Sequence, residues 1–325
     1  MAHIQLPQQN RWGWVSQTKE IASLIPVEKL ESMRLIGDEL ADEAISALIE
    51  KYPTLESSHS SQLTVAMIEE IKLYHSHDEN QDPRIARLLR SVFLVPDWVD
   101  RSLIQKGQLF YIKYSASSAF AMLYYSLIGG FSAPKIVRTL DETKYLTKAS
   151  SPNVTFRRLL ETFEMVVDCV ASDTAMDCEA VGWHAVLKVR LLHARVRRMI
   201  RLRSSSNNWD VKEFGVPINQ EDMMGTLLSF SINVIHIVQK IGAPWLTSAE
   251  MEACLHLWRY IGYLIGVQEE TNPCSSLERA NGATESVVLH LLHPNKRSQE
   301  VAGSVLRALV GRAPAAHWSL ETHAG

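Results

Sequence analysis

Cysteine is scarce in this chain, with only Cys169, Cys178, Cys254 and Cys274 among 325 residues. Their spacings match no CxxC, CxxCH or zinc-ribbon pattern, which excludes a disulfide-stapled scaffold and covalent c-type haem attachment and predicts the reduced thiols of a cytosolic protein. Glycine (15) and proline (12) are sparse too, so collagen-like and low-complexity classes are out. Neither charge sign dominates: 33 Lys+Arg stand against 36 Asp+Glu, and nucleic acid is therefore not an expected partner. The most apolar stretch, residues 116–131, falls short of the roughly 20 residues that span a bilayer and contains two consecutive glycines. A buried helix is expected there. The opening MAHIQLPQQNRWGW has neither the basic n-region nor the apolar h-region of a secretory signal, so a cytoplasmic location is expected. A peripheral membrane contact through an amphipathic N-terminal helix stays open, because such a helix needs no span.

Signature motifs are missing as well. There is no GxGxxG after a strand, no GxxxxGK[ST] and no GxSxG, so nucleotide binding and serine hydrolysis lack their usual backbone devices. HExxH is absent, and the Glu-x-x-His of a helical di-iron site occurs only as Glu56–His59 in the polar ESSHSS run.

What is present is helical periodicity. Apolar residues recur mostly at three and four, and Pro83, Pro96 and Pro134 fall in first turns, where no helical N–H is lost. The pattern predicts an all-α protein with helices over Val27–Ile49, Leu63–His75, Asp82–Phe93, Pro96–Tyr114, Ser117–Leu127 and Ser132–Leu140. It continues through Val154–Val170, Glu179–Arg203, Gln220–Ile241, Ser248–Val267, Leu277–Leu292 and Lys296–Leu309. No linker divides the chain and no repeat is visible, so a single helical domain is expected, with residues 1–60 as an N-terminal helical arm on a body of 61–325.

The segment VGWHAVLKVRLLHARVRRMIRLR, residues 181–203, carries the most chemistry. At about 100° per residue from His193, Val186, Val189, Val196 and Ile200 all lie within about 60° of the imidazole, while Arg197, Arg190 and Arg201 form one flank at about 40° to 80°. An imidazole aimed into an apolar interior beside a row of guanidiniums suits haem b, whose iron takes a neutral imidazole and whose propionates need cations. The competing reading is a hydrogen-bonded core histidine beside a solvated arginine edge. In SPNVTFRRLLETFEMVVDCV, Arg158 and Thr162 are one turn apart and lead into an apolar stripe. They read either as a distal hydrogen-bonding pair or as a local ion pair with a threonine bonded back to a carbonyl. GVPINQED reads as a helix start, with Asn219 capping and Asp222 three residues on. His236 and His256 read as core histidines.

These blocks, with FGVPINQEDMMGTLLSF and LHLWRYIGYLIGV, together resemble one family from about Leu94 to Val267. It is the haem-dependent oxygenase family that joins bacterial latex-clearing proteins (rubber oxygenases) to the fungal ER-bound oxygenases of the mycophenolic acid pathway. The resemblance implies a globin-like helical core with additional helices, holding one non-covalent haem b. It implies His193 as proximal iron ligand, Arg197 as a propionate partner with Arg190 and Arg201 beside it, and Arg158 and Thr162 as the distal pair. Rubber-cleaving members carry a lysine immediately before that threonine, and this sequence has Glu161. Glu142 lies about where the rubber enzymes place a catalytic carboxylate. The implied partners are dioxygen and a hydrophobic isoprenoid or secondary-metabolite substrate, the implied chemistry is oxidative cleavage of a C=C bond, and the ER-bound relatives imply peripheral ER association. A peroxide-dependent haem enzyme, a non-catalytic haem-binding protein and a plain helical scaffold remain as alternatives.

Overall fold

The computed structural model describes residues 24–56, 60–143, 146, 150–203, 209–241, 243–312 and 319. Among them the regular elements are helices: α1 (Val27–Met33), α2 (Glu39–Lys51), α3 (Ser60–Ser76), α4 (Pro83–Phe93), α5 (Arg101–Lys113) and α6 (Ser115–Phe120). The last of these widens into a π-helix, Ala121–Leu127, and ends in the turn Ile128–Gly130. Then follow α7 (Pro134–Thr143), α8 (Pro152–Val170), α9 (Val181–Leu202), α10 (Gln220–Phe230), α11 (Ile232–Ile241), α12 (Ser248–Ile265), α13 (Leu277–His290) and α14 (Lys296–Leu309). No strand occurs among the described residues, and the expected all-α class is observed.

Local chemistry sets the boundaries. Asp82 accepts from the Arg84 amide at 2.8 Å and Pro83 opens α4, Ser151 caps α8 ahead of Pro152, and Asn219 with Asp222 forms a reciprocal capping box on α10. Two predicted helices are divided. The run Val27–Ile49 breaks before Asp38, whose carboxylate restarts the helix by accepting from the Ala41 amide. The run Gln220–Ile241 breaks at Ser231, whose hydroxyl donates back to the Leu227 carbonyl at 2.8 Å. By length and composition that run could cross a membrane, yet Leu227, Leu228, Ile232 and Ile235 lie in the core. The α5 helix starts at Arg101, not Pro96, because Asp100 caps it.

Two apolar clusters result. The larger joins α1 to α5 with α9 to α13, and the helices expected in the N-terminal arm contribute Leu30, Met33, Ile45 and Leu48 to it. Its centre holds Trp183 and Trp258, whose indole N–H groups donate to the Val92 carbonyl and the Tyr111 hydroxyl. The smaller gathers Phe131, Val137, Leu146, Val301 and Val305 around α7 and α14. The π-helix and α8 bridge the two: Met122 and Tyr125 pack on the larger cluster, Leu123 and Leu127 on the smaller, and α8 sends Met165 and Cys169 to one and Leu159 to the other.

Candidate functional site

Helices α8 and α9 form a hairpin that closes at one end. A Cβ on Gly182 of α9 would lie 2.8 Å from the Cys169 Cα and 2.9 Å from the Asp168 carbonyl oxygen, so only glycine allows this approach. His193 lies eleven residues along α9 from Gly182, and Arg158 eleven residues along α8 from Cys169, about 16 Å from the crossing in each case at 1.5 Å per residue. The charge of Arg158 is felt at Arg195, close to the His193 level.

Packing opens at that level on both helices. On α8, Thr155, Met165, Val166 and Cys169 are buried and span about −20° to 80° around the helix, measured from Arg158. Arg158 and Thr162 fall inside this arc and are nevertheless exposed. On α9, Val186 and Ile200 are fully buried, whereas Val189, His193 and Val196 between them keep accessible surface. Val189, His193 and Val196 on α9, and Arg158 and Thr162 on α8, thus keep accessible surface within otherwise buried stripes.

His193 is enclosed by protein yet retains accessible surface, as a side chain facing an internal space does. Its Nδ1 is buried without a hydrogen-bond partner. Burial, and then the nearby Arg197 charge, push its pKa down to about 4 against an opposing pull from Asp38, so the ring is neutral at pH 7. That is not the satisfied core histidine of the alternative reading. His256 is one: its Nε2 accepts from the Asp100 amide at 2.9 Å and its ring meets Trp98 edge-on. His236, half-buried, is bonded to Asn281.

The α8 residues are joined locally. Arg158 donates to Glu161 at 2.8 Å and the Thr162 hydroxyl donates to the Arg158 carbonyl at 3.1 Å. Glu142 on α7 accepts from Arg138 at 2.8 Å, and the Arg138 guanidinium stacks over Phe214.

The arginine row of α9, expected beside the propionates, meets the carboxylates of α2. Arg190 grips Asp38 with two bonds of 2.7 and 3.0 Å and donates to the Leu264 carbonyl. Arg197 donates to Asp42 at 2.6 Å and to the Ile218 carbonyl, and Arg201 reaches the other oxygen of Asp42 at 2.8 Å. The flank that a helical wheel leaves open is covered by α2, and carboxylates there take up the guanidiniums. Arg197 keeps one nitrogen, Nη2, without a partner.

Helix α10 adds residues that single-segment reasoning read only as a cap. Met223, Met224, Leu227 and Leu228 are buried, whereas Asp222, Gly225, Thr226 and Ser229 form an accessible stripe. The π-helix crosses this helix where Ser126 donates to the Ser229 carbonyl at 2.6 Å. Burial raises Asp222 to about 6, and burial with the Asp222 charge raises neighbouring Glu221 to about 7, both opposed by Arg34. The signal was legible in principle: polar residues at 222, 226 and 229 interrupt an apolar helix at i, i+4 and i+7.

Among the described residues no three His, Cys, Asp or Glu side chains converge as a metal cage. A porphyrin brings its own four nitrogens and asks the protein for one imidazole, so the donor set fits haem. His59 of the Glu56–His59 match lies outside the described residues.

The fold resembles that of a solved latex clearing protein in its closed state, with a TM-score of 0.65 over 87% of this chain and 71% of the other at 18% identity. A rubber oxygenase of Streptomyces sp. (strain K30) is 25% identical over 196 residues, 60% of this chain. The matched region is 45% of that relative's length, so the chain spans less than half of it. Residues 113–324 match the model of the ER-bound oxygenase mpaB/B'/rubber oxygenase catalytic domain, which includes α8, α9 and α10 whole, and by that match the chain belongs to this oxygenase family.

Proposed function

We propose that this chain is a haem b-dependent oxygenase acting on a hydrophobic isoprenoid or other secondary-metabolite substrate, with oxidative cleavage of a C=C bond as its reaction. The observation that carries the reading is His193: neutral, enclosed and unpartnered at Nδ1, on an α9 stripe that keeps accessible surface as Arg158 and Thr162 do on α8, and the space between them is read as the haem cleft. Held by His193, haem b would supply a redox-active iron for reaction with dioxygen.

The chain's own residues do the rest. The neutral His193 ring offers its lone pair without first losing a proton, and Arg197, one turn on with a buried Nη2 that has no partner, is the proposed cation for a propionate. Arg158 and Thr162 present a guanidinium and a hydroxyl to the cleft. Glu161 holds Arg158 by the 2.8 Å ion pair, and Glu142, which the resemblance offers as a further carboxylate, is tied to Arg138 on α7. Val189 and Val196, partly buried on either side of His193, give its surroundings the apolar character that a hydrocarbon substrate needs.

The test is the visible spectrum and pyridine haemochrome of the purified chain beside His193→Ala. One b-type haem per chain, lost or spectrally altered in the variant, is expected. A chain that stays colourless after haem supplementation overturns the reading. The Glu161 carboxylate paired with Arg158 favours one second reading, a peroxide-dependent oxidation. Turnover that vanishes when catalase is added selects it over dioxygen chemistry.

A further inference from the structure

We infer that Asp38 and Asp42 of α2 are positioning residues for the His193 imidazole, acting through the arginine row of α9. The inference rests on the haem reading of His193. It extends that reading to a helix outside residues 113–324, the part of the chain matched by the catalytic-domain model.

The α9 arginines at 190, 197 and 201 recur at seven and four residues and so share one side of the helix. Asp38 and Asp42, four apart, share one side of the α2 start. They meet as a zipper. Arg190 holds both oxygens of Asp38 in a fork, with side chains 7% and 5% exposed, and Asp42 bridges Arg197 and Arg201 through one oxygen each. A third element locks the first pair. Gly266 ends α12 at φ +95°, and a Cβ there would strike the Asp38 carboxylate and lie 2.9 Å from Arg190 Nε.

Buried ion pairs add little net stability compared with apolar packing, and their best-attested use is to specify register. Register is what a ligand on a helix requires. A rotation of α9 by about 20° swings a side-chain tip about 6 Å from the axis through about 2 Å, whereas a functional group must be held within about 0.5 Å. The apolar neighbours cannot supply that restraint where α9 borders the cleft, because Val189 and Val196 are themselves incompletely packed. Arg197 lies one turn from His193 and its Nε is fixed by Asp42 at 2.6 Å, so the two carboxylates restrain α9 on both sides of the imidazole.

The experiment uses the full chain. Haem affinity, the visible spectrum and the ferric/ferrous midpoint are measured for wild type, Asp42→Asn, Asp42→Glu and Arg201→Met, with Arg84→Gln as a surface-pair control. Arg201 is about half exposed, so its variant folds even if Asp42→Asn does not. Expected for Asp42→Asn is a loss of haem affinity of about 10-fold to 100-fold, as for other groups that orient a metal ligand, with a shifted spectrum and midpoint and partial recovery in Asp42→Glu. Arg201→Met shifts the midpoint in the same direction, and Arg84→Gln changes nothing. Folded Asp42 or Arg201 variants with wild-type affinity, spectrum and midpoint overturn the inference. A wild type that binds no haem overturns the functional reading instead.

Discussion

Holding a neutral histidine in an enclosed position makes the haem-free chain sensitive to acid in a way that one substitution isolates. His193 falls from 6.5 to about 4 in the fold. Below pH 6.5 the unfolded chain takes up a proton that the folded chain refuses, so stability is lost as pH drops from 6.5 to 4 and then levels off. At 1.36 kcal/mol per unit the loss is at most about 3 kcal/mol. Glu221 and Asp222 act in the opposite sense. Their folded pKa values lie above the ordinary carboxylate range, so their stabilisation is present at low pH and is lost as pH rises through about 6 to 7. Total stability against pH therefore mixes two slopes. The difference between wild type and His193→Leu removes the carboxylates, which are common to both. Urea unfolding of the two haem-free proteins between pH 4 and 8 should show a stability difference that is constant above pH 7 and shifts by about 2–3 kcal/mol in the variant's favour on acidification. Parallel curves across that range refute the argument, because they mean the imidazole takes its proton as readily folded as unfolded.

Three further outcomes follow from the packing. Arg190→Met leaves the Asp38 carboxylate buried without its fork and should cost about 3–5 kcal/mol in urea unfolding, with much of it restored by a second change, Asp38→Asn; no loss in the single variant contradicts the pairing. Gly182→Ala forces a methyl against the Cys169 Cα and the Ala175 carbonyl, each 2.8 Å away, and should cost about 1–3 kcal/mol with a lower Tm; an unchanged Tm would mean that the hairpin does not close there. Glu161→Gln releases Arg158 from its 2.8 Å partner, so the haem-loaded chain should bind azide several-fold more tightly, and equal affinities would show that Arg158 does not face the ligand.

Much of the helical plan was legible because each element carries its own apolar stripe. Asp82–Phe93 is predicted and Pro83–Phe93 is observed. His193 could be singled out for the same reason, since a helical wheel locates it among Val186, Val189 and Ile200. What a wheel cannot contain is the neighbour that covers each flank. The row Arg190, Arg197, Arg201 reads as an open cationic edge until α2 is laid against it, and Arg190 and its partner Asp38 are 152 residues apart in the chain. The accessible polar stripe of α10 was hidden because Asp222 has an adequate local explanation as a capping residue, which it also is. The breaks at Asp38 and Ser231 are single side-chain hydrogen bonds competing with the backbone, too local for an averaged periodicity to register.

The separation between Asp38 and Arg190 also has a meaning in time. At about 5–20 residues per second of synthesis, α2 leaves the ribosome some 8–30 s before the helix that satisfies its carboxylates and covers Ala44, Ile45 and Leu48. In that interval α4 can already pack on α2, held by the Arg84–Glu50 and Arg87–Glu43 pairs, while Asp38 and Asp42 wait for their arginines. The ion-paired contact between α2 and α9 therefore completes late, after the local packing of α2 on α4. Yield in a cell should depend on holdase capacity and elongation rate more steeply than the equilibrium stability of the finished fold would suggest.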